Sequence, residues 1–213
     1  LEAQGVADNT IILFLSDNGR PFPRDKTTLY DSGIRTPLLV RGPGVKSGTV
    51  CESLVSSIDL APTLLEWAGR GKLDTMQGVS VTSLLNDPTG HIRRFIHAEK
   101  NWHDYEDHSR AVRDLRFKYI RNDFNDLHGT PQADAVRSPT FRGMMELEQS
   151  GQLTPAQRIS ILVPRPREEL YDTEADPQEI QNLAEDPNYT NPLRQFRETL
   201  AEWEARTSDR VPT

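Results

Sequence analysis

Thr10-Ile11-Ile12-Leu13-Phe14-Leu15-Ser16-Asp17-Asn18-Gly19 is the stretch that decides the fold reading. Its first seven residues form a nearly unbroken apolar run rich in β-formers. Such a run reads as a strand buried on both faces, as in a parallel sheet. Asp17 and Asn18 then stand at the carboxyl end of the strand, and Gly19 can take the turn. In open α/β sheets, ligands gather outside the carboxyl ends of strands. A carboxylate and an amide side by side there offer two oxygens to a hard divalent cation, calcium or magnesium. The same residues are also ordinary turn chemistry, because Asp-Asn and Asn-Gly pairs close loops without any metal.

Residues 36–41 read as a second buried strand, closed by Gly42-Pro43-Gly44. Asp59 can cap a helix that has Pro62 in its first turn. Leu60, Leu64, Leu65 and Ala68 give that helix an apolar face, and Gly69 ends it. Phe95-Ile96-His97-Ala98 is a short strand. Residues 111–113 and 117–121 flank Asp114-Leu115-Arg116 as a hairpin, and residues 168–171 read as a further strand. Leu193, Phe196, Leu200 and Trp203 recur at helical spacing, which predicts an amphipathic helix over 192–206 packed on that small sheet. Residues 122–166 show no period and are broken by prolines, so they are expected to form a long irregular excursion near a substrate pocket or a subunit contact. The fold class is α/β, in two parts: residues 1–99 and residues 100–213.

The chain has 213 residues, a formal net charge of −7 and 35% hydrophobic residues. The length is enough for a real core in one or two subdomains. The acidic balance argues against a general nucleic-acid binder. No apolar run is long enough to span a bilayer. One cysteine, Cys51, excludes an internal disulfide. Asn188-Tyr189-Thr190 is a glycosylation triplet of a kind that also arises by chance.

The motifs after Asp17-Asn18-Gly19 come in a definite order. They are Lys26, Leu29-Tyr30-Asp31-Ser32-Gly33-Ile34-Arg35-Thr36-Pro37, Arg41-Gly42-Pro43-Gly44, Ser57-Ile58-Asp59-Leu60-Ala61-Pro62-Thr63, Gln77-Gly78-Val79-Ser80, Glu169-Leu170-Tyr171-Asp172, Asp176-Pro177 and Asn182-Leu183-Ala184. This order resembles the C-terminal half of the sulfatase family, within the alkaline-phosphatase-like superfamily. Asp31-Ser32-Gly33 departs from the Glu-Gly-Gly usual there. Arg20-Pro21-Phe22-Pro23, Leu29-Tyr30 and Ser138-Pro139-Thr140-Phe141 are similar to the heparan N-sulfatase branch.

The resemblance implies a fold: the C-terminal part of an alkaline-phosphatase-like mixed sheet, followed by a small antiparallel sheet with a packed helix. It also implies a chemistry. Calcium, in preference to magnesium, would be held partly by Asp17 and Asn18. Lys26 would sit over the sulfate, with Arg24, two residues away, as its rival. Asn101 and His103, in the run 99–108, would line the sugar pocket; a solvated loop is the alternative for that run. Two histidines and several carboxylates there also make a zinc site conceivable. Arg110, Arg113, Arg116, Lys118 and Arg121 read either as a lure for a sulfated glycan or as strand faces turned to solvent. His97 reads as a packed histidine.

The implied substrate is a sulfated saccharide, N-sulfoglucosamine in preference to an O-sulfated sugar or an aryl sulfate. Sulfatases also need a formylglycine made within a Cys/Ser-x-Pro/Ala-x-Arg motif. Cys51 lacks the proline and arginine and reads as a small strand or core residue. The chain is therefore expected to be the C-terminal part of a longer protein, inactive alone and partnered by its own N-terminal half. The resemblance favours an extracytoplasmic compartment and leaves a homodimer open. A non-catalytic sulfated-glycan-binding remnant is the reading from a different class.

Overall fold

The computed structural model describes residues 1–129 and 131–212. In chain order its strands are β1 (Ile12–Leu15), β2 (Leu38–Arg41), β3 (Ile96–Trp102), β4 (Glu106–Arg113), β5 (Phe117–Asn122) and β6 (Glu168–Asp172). The helices are α1 (Asp31–Ile34), α2 (Leu60–Trp67), α3 (Thr82–Asn86), α4 (Ala133–Val136), α5 (Pro139–Gln149), α6 (Pro155–Arg158) and α7 (Thr190–Thr207). They fall into two compact units, one of Leu1–Leu15 with Pro37–Ile96, the other of Ser16–Thr36 with His97–Thr213. Residues 16–36 thus belong with the C-terminal sheet rather than with the strands that flank them in sequence.

In the first unit β1 and β2 pair antiparallel, with Ile12 opposite Arg41 and Leu15 opposite Leu38. The reading of two strands buried as in a parallel sheet is corrected here. Phe14 remains 64% exposed and Leu39 58%. An apolar run shows that a surface wants cover; it does not say that the same stretch of chain supplies the cover. Asp59 is the polar centre of this unit, fully buried. It accepts N–H bonds from Ser56 at 2.7 Å and Val79 at 2.8 Å and takes both arms of the Arg93 guanidinium at 2.5 Å. The cap at this helix start is a box formed by Ser56 and Asp59 over the turn 57–59, one turn ahead of α2. Cys51 lies exposed in a loop, not in a strand or core.

The second unit is a four-stranded sheet in the order β3-β4-β5-β6. The expected hairpin is present, with Arg113 opposite Lys118, and β6 pairs with β5 through Phe117 and Asp172. Helix α7 turns Leu193, Phe196 and Leu200 inward. Phe196 meets Phe117 edge-on, and His97 stacks on Trp203 at 5.2 Å. A second small core gathers Leu29, Ala111, Ile120 and Tyr171. Residues 122–166 are not irregular throughout; they contain α4, α5 and α6. Ser138 accepts the Phe141 N–H at 3.1 Å as an N-cap, and Pro139 occupies the first turn, where no N–H is needed.

Candidate functional site

The site is built on the segment that follows β1. Ser16 donates its hydroxyl to the Asn18 carbonyl at 2.8 Å, and the Asn18 N–H donates to Asp17 Oδ1 at 3.0 Å. Asn18 Nδ2 donates to the Gly19 carbonyl at 2.7 Å. That bond uses the amide nitrogen and leaves Asn18 Oδ1 without a hydrogen-bond donor of its own among the bonds of this turn. Two adjacent hard oxygens are a donor set that fits calcium or magnesium. Among the described residues no cluster of three or more His, Cys, Asp or Glu side chains could hold a metal. Asp17 and Asn18 would therefore be part of a ligand set, not all of it.

Two glycines set the path of the loop. Gly19 donates its N–H to the Gly33 carbonyl at 2.9 Å. A Cβ on Gly19 would lie 1.9 Å from the Ser32 carbonyl oxygen, and one on Gly33 would lie 2.3 Å from that of Asp25. Only glycine permits either approach. The Arg20 carbonyl then accepts the N–H of Phe22 at 2.8 Å and of Lys26 at 3.0 Å, which ties Lys26 to the turn that follows Asn18. Arg24 and Thr27 flank it with φ of 68° and 66°. Left-handed backbone is uncommon away from glycine, and for a β-branched residue such as threonine it is an outlier of the kind that gathers at functional sites.

The rival arginine is committed elsewhere. Arg24 donates to the carbonyls of Gln178, at 2.8 Å, and Glu179, and lies 3.8 Å over the Tyr30 ring. The Lys26 side chain stays 25% exposed, with Asp134 3.5 Å from its ammonium. Of these two residues, Lys26 is the one whose side chain makes no hydrogen bond to a backbone carbonyl among the described residues.

A buried ion network anchors the loop to the sheet. Asp31 pairs with Arg113 and Lys118, and Lys118 also reaches Glu179 at 2.7 Å. Burial pushes the Asp31 carboxyl up, but Lys118 and Arg113 together outweigh it and hold the group below the usual range. Burial dominates at Glu179 and raises it. Tyr30 and Tyr171 both donate to Glu169 Oε2, at 2.8 and 2.5 Å.

Most of the basic residues of this hairpin are turned inward and paired, so the reading of strand faces turned to solvent is corrected for them, whereas Arg116, in the turn, stays 53% exposed. Arg110 is 1% exposed and bound to Asp209, and Lys118 is fully buried. Arg116 pairs with Asp172, and Arg121 with Asp123 and Glu204.

Residues 101–108 form a hairpin tip rather than a free loop, since β3 runs to Trp102 and β4 starts at Glu106. Asn101 and His103 are both exposed there. His108 is buried in β4, where Nδ1 meets Asp123 at 2.8 Å, so the two histidines share no zinc site. At the tip His103 Nδ1 lies 3.3 Å from Asp104 Oδ2, which accepts the Ala133 N–H at 2.6 Å. That backbone N–H, with smaller help from His103 and Lys26, holds the Asp104 carboxyl below its ordinary range. Lys26, His103 and the start of α4 are therefore neighbours. Asp104, Gln132 and Asp134 complete this cluster, and sequence reasoning missed them. The carboxylate density of 99–108 was the available signal for Asp104; nothing in the sequence marked Gln132.

Residues 22–135 match the family model described as N-sulphoglucosamine sulphohydrolase, C-terminal. The chain belongs to this sulfatase family. It is 40% identical over 95% of its length to a protein from Formosa agariphila named ulvan-active sulfatase, covering 34% of that relative. It is 32% identical over 98% of its length to human N-sulphoglucosamine sulphohydrolase, covering 44% of it. A solved structure described as a complex with its substrate D-glucosamine-2-N,6-O-disulfate superimposes on all of this chain with a TM-score of 0.74. At 23% identity that likeness speaks for the fold, and the chain covers 37% of the solved one. The sulfatase chain described here thus spans between a third and a half of the length of these relatives.

Proposed function

We propose that the full-length protein containing this chain hydrolyses sulfate from a sulfated saccharide, with N-sulfoglucosamine the favoured substrate. The observation that carries the reading is the family match over 22–135, which spans Lys26, Asn101 and His103. Asp17 and Asn18 would supply oxygens to calcium. Bound calcium, together with a formylglycine from outside this sequence, would supply an oriented nucleophile and neutralise sulfate charge. Within the chain, the partly exposed Lys26 side chain would donate from its ammonium to a sulfate oxygen. A fixed cation that meets charge as it develops is the main way such sites lower a barrier. Asn101 and His103 present polar groups at the hairpin tip for the hydroxyls of the sugar. An extracytoplasmic location goes with this reading, and among the described residues no helix is long and apolar enough to cross a membrane.

A second reading has its own support. The 40% identity to a protein named ulvan-active sulfatase favours an O-sulfated polysaccharide of another kind. One assay separates the two: sulfate release by the full-length protein from N-sulfoglucosamine, 6-O-sulfated N-acetylglucosamine, ulvan oligosaccharides and an aryl sulfate at matched concentration. Preference for an O-sulfate overturns the N-sulfatase reading alone. No release from any of them, with formylglycine confirmed by mass spectrometry, overturns both.

A further inference from the structure

The wall beside Lys26 is acidic and contains a donor with nothing to donate to. Gln132 is 1% exposed, and its Oε1 lies 3.4 Å from the Thr27 hydroxyl, next to Lys26. Its Nε2 is buried and makes no hydrogen bond among the described residues. Leaving such a group unpaired is costly, so a buried orphan donor calls for an explanation. Asp134, two residues on, is 66% exposed and reaches the Lys26 ammonium at 3.5 Å. Asp104 stands across the hairpin tip with its carboxylate 38% exposed, held by the Ala133 N–H and within the field of Lys26. The Lys26 ammonium thus has one carboxylate at 3.5 Å and a second within its field, with the buried Gln132 amide against the neighbouring Thr27.

Resting on the sulfatase reading above, we infer that Gln132, Asp104 and Asp134 form the saccharide-reading wall of the Lys26 site and select a sugar with a single sulfate. Lys26 takes the sulfate. The two carboxylates accept hydrogen bonds from sugar hydroxyls, and the unpaired Gln132 amide donates its N–H to a sugar oxygen. A second sulfate on the same sugar would set an anion against these carboxylates where a hydroxyl donor would otherwise stand. Repulsive elements of this kind set specificity as much as attractive ones do.

The test uses full-length protein and compares kcat/KM for N-sulfoglucosamine with that for its 3-O- and 6-O-sulfated forms, alongside calorimetric binding of the same sugars. Wild type should prefer the monosulfated sugar. Asp104→Asn combined with Asp134→Asn should cut that preference about tenfold, the equivalent of 1.4 kcal/mol. An unchanged ratio overturns the inference and leaves the sulfatase reading standing. The expected binding preference without sulfate release from any substrate overturns the sulfatase reading and leaves this one standing. Absence of binding to every sugar overturns both. Gln132→Met provides an independent arm. Its KM should rise while the thermal midpoint of the unliganded protein holds or increases, because an orphan donor has been removed. A lower midpoint with KM unmoved would make Gln132 a structural residue and overturn its part in the wall.

Discussion

Arg24 and Thr27 hold strained backbone on either side of Lys26. Such conformations cost roughly 1–3 kcal/mol each and persist only where the surroundings over-determine them. The surroundings do so here: the Arg20 carbonyl and the Gly19–Gly33 contact fix the loop from within. Lys26→Ala in the full-length protein should therefore keep its fold and lose turnover by about a hundred- to a thousand-fold, the usual effect of deleting one preorganised charge donor. Arg24→Ala should do the reverse, lowering the unfolding midpoint through its lost carbonyl bonds more than it lowers turnover. Steady-state rates and thermal melts on both variants check the pair, and near-wild-type rates for Lys26→Ala would reassign the role. At Asp17 the outcome is metal loss. Asp17→Ala should release calcium measured by elemental analysis, and stoichiometric calcium in the variant would sink the ligand assignment.

Lys118 shows at the scale of elements why some of this architecture was legible and some was not. Strand β5 and its hairpin follow from alternation and turn residues, and α7 follows from Leu193, Phe196 and Leu200 at helical spacing, because those signals are local. Arg110, Arg113, Lys118 and Arg121 read as a glycan lure or as solvent faces, since most of their acidic partners are distant in sequence. Asp31 lies 87 residues from Lys118, and Asp209 lies 99 from Arg110. The exposed apolar face of β1 and β2 was illegible for the opposite reason, because burial is a property of neighbours. Helices α4 to α6 were hidden by prolines that in fact start α5 and α6. The Ser138-Pro139 pair was the missed signal. The element-scale prediction concerns α1 and β5. Lys118→Met leaves two carboxylates buried without their shared cation and should destabilise the protein by about 3–5 kcal/mol. Adding Asp31→Asn and Glu179→Gln should return a good part of that in chemical denaturation, and no recovery would show that the network is not what the substitution breaks.

Many carboxylates of the molecule are paired with arginine or lysine, and this gives it a definite response to acid. Arg116 holds the Asp172 carboxyl below its ordinary range, Arg110 does so for Asp209, and Arg197 for Glu168. The unfolded chain takes up protons on these groups before the folded one does. Their contribution is complete above about pH 4, where unfolded carboxylates ionise, and is lost as pH falls through the lower folded values. Glu179, raised by burial, works in the opposite sense and weakens with rising pH. Urea midpoints should be level from neutrality to about pH 5 and fall steeply below about pH 4. Arg116→Ala should flatten part of that fall, and an identical slope in the variant would remove Asp172 from the account.

The excursion of residues 16–36 out of the first unit and into the second means that the chain passes between the units more than once. No single break in the polypeptide yields both. A gene divided near residue 96 would encode a C-terminal product lacking Leu29, Tyr30 and Asp31, leaving Lys118 without its aspartate and Glu169 without one of its tyrosines. Supplying 16–36 as a separate peptide should restore what the cut removed. For protein engineering the useful seam is thus a pair of joints, at 15–16 and 36–37, and the strip between them is a cassette that can be exchanged between relatives together with its partner sheet.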